Sequence, residues 1–542
     1  MKPNKLFLFA TLAGLLCAAV GMAQAQDQKP GGTAEQLGQV HFPVSCSAAA
    51  QQQFHRAVAL LHSFWYAEAV KAFTAVSQTD PSCAMAYWGI AMSLWYPLWE
   101  PPTKAALKQG WTAVEKAKAL GGKTEREGDY IAAIEAFYKD SDKLDHRTRA
   151  VAYEKGMEQV YRRNPEDREA AIFYALALNA TALPTDRTYV NQIKAGQVLE
   201  KIFAQHPGWA HYLIHSYDSP PLASRGLTAA RVYAKIAPAA PHALHMPSHI
   251  FTRLGLWQES IQSNRASADA AKADDLKVRP GVASSSYMHA LDYMAYAYLQ
   301  GAQDREAKEI LEEVMAVQKA QEVQATAYAF AAVPARYAIE RRRWSEAAAL
   351  LLRPTWFPWS RYRMTEAITY FARALGAARG GDAAAARKEV EKLQAVRDAL
   401  VQAKSTYWAD QVEVQRRAAT AWAARAEGKN DEALALLRAA ADLEDSMEKH
   451  PVTPGPIVPA REQLGELLLE LGQPGPALKE FEAALGKEPN RFNGLYSAAR
   501  AAELSGDREK ARTFYAKLLA LAAQADTERP ELREAKAFLA RR

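Results

Sequence analysis

Five of the 12 histidines, His211, His215, His242, His245 and His249, crowd into one short stretch of the chain. A neutral imidazole carries a proton on one ring nitrogen and a lone pair on the other. It therefore binds metal ions, relays protons or hydrogen-bonds a polar ligand. His211 and His215 are four residues apart, as are His245 and His249, so each pair shares one face of a helix. The offset from His211 to His245 equals that from His215 to His249 (245 − 211 = 249 − 215). Two imidazole pairs at equal height on neighbouring helices form a donor set for one transition metal ion: Zn, Cu or Fe. The expected ligands are His211, His215, His245 and His249. His242 lies about one turn from His245. Asp218, one turn beyond His215, and Asp292, three residues after His289, are expected to orient imidazoles or add a ligand.

Three readings of the cluster stay open: a metal site, a metal-free pocket for a polar ligand, and structural histidines carried by a duplicated segment. Pro247 sets a condition. If a helix begins there, the register of His245 with His211 loosens. His206-Pro207 and Ala240-Pro241 are expected to close the helices before each pair. His55 and His62 lie far away in the chain, and only curvature could bring them near.

Other catalytic signatures are missing. The sequence has no Gly-rich phosphate loop, no HExxH, no CxxC and no GxSxG. Ser284-Ser285-Ser286 ahead of His289 reads as a helix cap. Whether the chain is an enzyme stays open; zinc would suit hydrolysis, copper or iron oxidation. The net charge of +6 includes Lys2 and Lys5 of a leader, leaving about +4 (6 − 2). No basic stripe with interleaved aromatics accompanies it, which argues against nucleic acid.

The elements that must hold these histidines are helices. Hydrophobic residues make up 49% and charged residues 24%, enough to build a large core, and alanine is favoured over β-branched runs. Gly472, Ala477 and Phe481 recur as Gly506, Ala511 and Tyr515, at the same offset that separates the two histidine pairs (506 − 472 = 245 − 211). Ala69, Phe73 and Pro81 repeat the spacing of Ala477, Phe481 and Pro489. Looser units run through Gly255–Ser260, Gly301–Ala307, Trp344–Ala347–Leu351, Gly381–Ala386 and Gly428–Ala433.

These residues resemble the tetratricopeptide repeat family over most of residues 48–525. The resemblance implies an all-α, right-handed α-solenoid of antiparallel helix pairs whose first helices line a concave face. It also implies a binding scaffold for a protein, a peptide or a small polar ligand. Cys46 precedes the first such helix and Cys83 starts the next, about one repeat later, so repeat geometry pairs them in a disulfide.

The expected organisation is a signal peptide at 1–25, with a positive start, an apolar stretch from Leu6 to Val20 and an Ala23-Gln24-Ala25 cleavage site. An extension follows at 26–47, then an array at 48–353 with the histidines, further helices at 354–449, a Pro-rich loop at 450–459 and terminal repeats at 460–542. The leader implies a periplasmic or secreted protein, with no membrane span after its removal. The loop, HPVTPGPIVP, cannot be helix; it is either a linker or a segment packed on the concave face.

Overall fold

The computed structural model describes residues 36–98, 101–202 and 204–541; the expected leader lies outside them. Amphipathic, alanine-rich segments form helices joined by short turns, so each packs antiparallel on the next. Several also pack on the second helix along, which stacks equivalent helices side by side. No strand occurs among the described residues; a single bridge joins Ala283 to Ala320.

The repeat residues act as expected. Gly472 (φ 70°) and Gly506 (φ 85°) take the left-handed conformation that ends one helix and starts its partner. Ala477, Phe481, Ala511 and Tyr515 are buried. A Cβ on Gly465 would lie 2.7 Å from the Phe481 ring, and one on Gly89 2.3 Å from Phe73. Glycine there lets a large side chain sit against the facing backbone. One looser unit fails: the Trp344–Ala348 helix stops after five residues and Leu351 is exposed, because the Pro354 segment follows at once.

The apolar core forms two clusters, Leu37–Phe251 and Trp257–Phe538. The seam between them falls between Phe251 and Trp257, just after His249. A Cys46–Cys83 disulfide is present, with Cα atoms 5.1 Å apart. It ties the start of the Ala48–His62 helix to that of Ala84–Ser93.

Residues 450–459 are not a linker. Val452, Thr453, Pro454, Gly455, Ile457 and Pro459 are buried. Prolines limit this backbone to one internal turn, Thr453 N to the His450 carbonyl, so side chains from the array satisfy further carbonyls. Tyr293 Oη lies 3.1 Å from the carbonyls of Pro451 and Thr453 and shares its one proton between them, and Arg336 Nη2 donates to that of Gly455 at 2.8 Å.

Candidate metal centre

Three neighbouring helical segments carry the histidines: Pro207–Tyr217, the abutting pair Pro241–His245 and Pro247–Arg253, and Ser285–Gln300. Pro207 and Pro241 begin their helices instead of ending the preceding ones. Proline fits the first helical position because the N–H it lacks has no partner there. His206 caps the first, its Nδ1 accepting from Gly208 N. Pro247 removes only its own N–H from the ladder; Met246 before it keeps helical angles and donates to the His242 carbonyl. The register therefore survives: Nε2 atoms lie 3.1 Å apart in the His211/His215 pair and 3.0 Å in the His245/His249 pair. Ser284 caps the third helix through Tyr287 N.

The imidazoles gather in two sets, each pair gaining a third ring. His211, His215 and His242 form one triad; His245, His249 and His289 form the other. Within each set, one nitrogen per ring lies within 4.8 Å of the others. The triads share a wall, with the rings of His215 and His249, and those of His242 and His245, 5.9 Å apart. His245, His249 and His289 are buried, while His215 and His242 are partly exposed. Burial, and then the charge of neighbouring imidazoles, pushes His211, His215, His242, His245 and His289 well below the ordinary imidazole value. Burial also lowers His249, against the pull of Asp218.

The outer nitrogens fix where the protons sit. His211 Nδ1 donates to the His62 carbonyl at 2.6 Å. His245 Nδ1 donates to Asn264 Oδ1 at 2.6 Å; the Asn264 amide nitrogen faces the Ser260 carbonyl, which sets the orientation of that side chain. His249 Nδ1 donates to Asp218 Oδ2 at 2.8 Å. Asp218 also accepts from Arg253 Nε at 2.8 Å and Lys449 Nζ at 3.2 Å. Burial opposes its charge, but Lys449, Arg253 and His249 together hold its carboxyl well below the usual range. When these rings are neutral, each presents an Nε2 lone pair inward. In the second triad, two such lone pairs face each other across 3.0 Å.

Of the expected carboxylates, Asp218 is hydrogen-bonded to His249 Nδ1. Asp292 is ion-paired with buried Arg336 on the neighbouring Gln324–Ile339 helix. Burial pushes the Asp292 carboxyl up to about 6, against Arg336.

Sequence reasoning missed the supports. Asn264 comes from the Trp257–Val278 helix and had no signal beyond being a polar residue in a helix. His62 ends the first helix, and its carbonyl reaches the site from 149 residues away. A further buried group, His62, Glu169 and His206, lies behind the first triad. Both imidazoles donate to the Glu169 carboxylate at 2.8 Å; His62 Nδ1 accepts from Tyr212 and His206 Nδ1 from Gly208. Its nitrogens are all satisfied, so this group works as a brace that fixes His62.

No protein family matches the sequence, and no curated protein matches it. Three solved structures align over most of their length. The yeast Tom70 crystal structure matches at 10% identity, covering 90% of this chain and 95% of that one, with a TM-score of 0.33. The Cut9–Hcn1 hetero-tetramer of APC/C matches at 11%, covering 91% and 96%, with a TM-score of 0.27. Naa15/Naa10 bound to HypK-THB matches at 11%, covering 90% and 91%, with a TM-score of 0.24. At these scores no argument about function follows from them. Among the described residues, no helix is long and apolar enough to cross a membrane.

Proposed function

We propose that the protein is a metalloprotein whose helical array holds two adjacent transition metal ions, one in each histidine triad. The observation that carries this is the His245–His249 contact. Two lone pairs 3.0 Å apart repel unless a cation lies between them. A metal ion held between the two nitrogens would remove that repulsion, with Asn264 and Asp218 holding the outer nitrogens as donors. The hydrogen bonds on the outer nitrogens are the usual supports of metal-bound imidazole.

The donor set suits zinc, copper or iron. Both triads are all-imidazole; Asp218 is held by Arg253 and Lys449, and one oxygen of Asp292 pairs with Arg336.

The reading as a scaffold for a protein or peptide finds less support at this site. The 450–459 loop covers the face beside the histidines, so a peptide has to bind elsewhere on the array or displace it. The Cys46–Cys83 disulfide supports action outside the cytoplasm, in the periplasm or beyond. The test is loading the purified protein with Cu²⁺, Zn²⁺ and Fe²⁺ in turn. His245→Ala/His249→Ala should hold one ion fewer than the parent; equal content in the two would refute the site.

A further inference from the structure

A cavity of about 450 Å³ opens beside the triads, and its wall includes His242 from one and His289 from the other. Phe64, Trp65, Tyr66 and Tyr96 line the same space. These aromatics form an ordered run. Tyr96 stands edge-on to Tyr66 at 4.9 Å, Tyr66 stacks on Phe64 at 5.1 Å, and Phe64 lies nearly parallel to His242 at 5.6 Å. Phe64 also stacks on His215 at 5.7 Å and meets His211 edge-on at 4.3 Å, so it sits directly over the first triad. Phe64 (φ 52°) and Tyr96 (φ 56°) both hold a left-handed backbone, an uncommon conformation for bulky side chains that this packing maintains.

We propose that this cavity binds a small aromatic alcohol, a one- or two-ring molecule of the phenol class, with its oxygen on the metal centre and its ring against the Phe64–Tyr66–Tyr96 wall. The volume lies within the range of small-molecule sites. Offset and edge-on aromatic walls select a flat ring over an aliphatic one of equal size. His242 and His289, one from each triad, line the cavity, so ions held by the triads would offer a Lewis acid to a phenolic oxygen on that side. The inference rests on the two-ion reading, because without ions that side offers only imidazoles.

The test uses the full-length protein loaded with zinc, which is redox-silent, and calorimetric titration with 4-nitrophenol and cyclohexanol. Ala67 is exposed and lines the cavity, so Ala67→Trp fills the space without entering the core. The expected result is one 4-nitrophenol per chain, at least tenfold tighter than cyclohexanol and tenfold tighter than in metal-free protein. Ala67→Trp should keep two zinc ions and the parent's melting temperature while losing at least tenfold in 4-nitrophenol affinity. Equal binding of the two alcohols, or unchanged binding by zinc-loaded Ala67→Trp, would overturn the proposal. Zinc content below one per chain, with 4-nitrophenol binding still abolished by Ala67→Trp, would keep the aromatic cavity and overturn the metal reading alone.

Discussion

Replacing Asn264 with alanine tests whether the second triad is built as a ligand set. Asn264 is fully buried, and its Oδ1 takes the His245 Nδ1 proton at 2.6 Å. The substitution leaves the six imidazoles in place but removes the group that keeps the His245 Nε2 lone pair pointed inward. Loss of such an outer partner costs about 10–100-fold in metal affinity, or about 1.4–2.8 kcal/mol. The metal-free protein should lose roughly 1–3 kcal/mol as well, because a buried N–H is left without an acceptor. Competition with a graded series of chelators separates the two effects. One ion per chain should become easier to remove by that factor, while the other, held by His211, His215 and His242, keeps its parental affinity. Unchanged affinity for both ions would refute the assignment of His245 as a ligand. Equal weakening of both would refute the division into two triads.

Three other expectations follow from the surrounding structure. Glu444 is half-buried and accepts from Ala460 N at 2.7 Å, and desolvation raises its carboxyl to about 8. The folded state then keeps a proton that the unfolded state loses near its ordinary value of 4.5, so stability falls as pH rises from about 4.5 to 8. Glu444→Gln should be more stable than the parent by roughly 2–4 kcal/mol at pH 9 and nearly equal at pH 4, measured by denaturant unfolding. Cys46→Ser/Cys83→Ser opens a link spanning 37 residues and should cost about 2–4 kcal/mol in the same assay. Arg336→Leu strips buried Asp292 of its partner and the loop of its donor to Gly455, costing about 3–5 kcal/mol. Limited proteolysis should then cut within 450–459, where the parent resists.

Much of the site was legible because repeat spacing and helix periodicity are local signals. The shared offset put the two histidine pairs on neighbouring helices, and the single turn from His215 to Asp218 put the carboxylate beside them. The same period foretold the Cys46–Cys83 link. Two sets in place of one could not be read. That split depends on His289, which a later helix supplies, and on side-chain directions that spacing alone does not give. The supports were hidden for a related reason. Asn264 sits on the opposing helix of a pair, the His62 carbonyl carries no side-chain signal, and Lys449 reaches Asp218 across 231 residues. Two chain-terminating features were misread locally: Pro207 and Pro241 start helices, because a proline between two helical patterns can close one or open the next. The loop at 450–459 announced that it was not helix, but its burial depended on Tyr293 and Arg336 from distant helices.

The most direct test of the central claim is the number of metal ions per chain, measured by elemental analysis after copper loading and removal of loosely held metal. X-ray absorption of the same sample would identify the donor atoms. The account predicts two ions per chain, each with imidazole nitrogens at about 2.0 Å, about the length expected for such bonds. Fewer than one ion per chain, or two ions bound without imidazole, would contradict it.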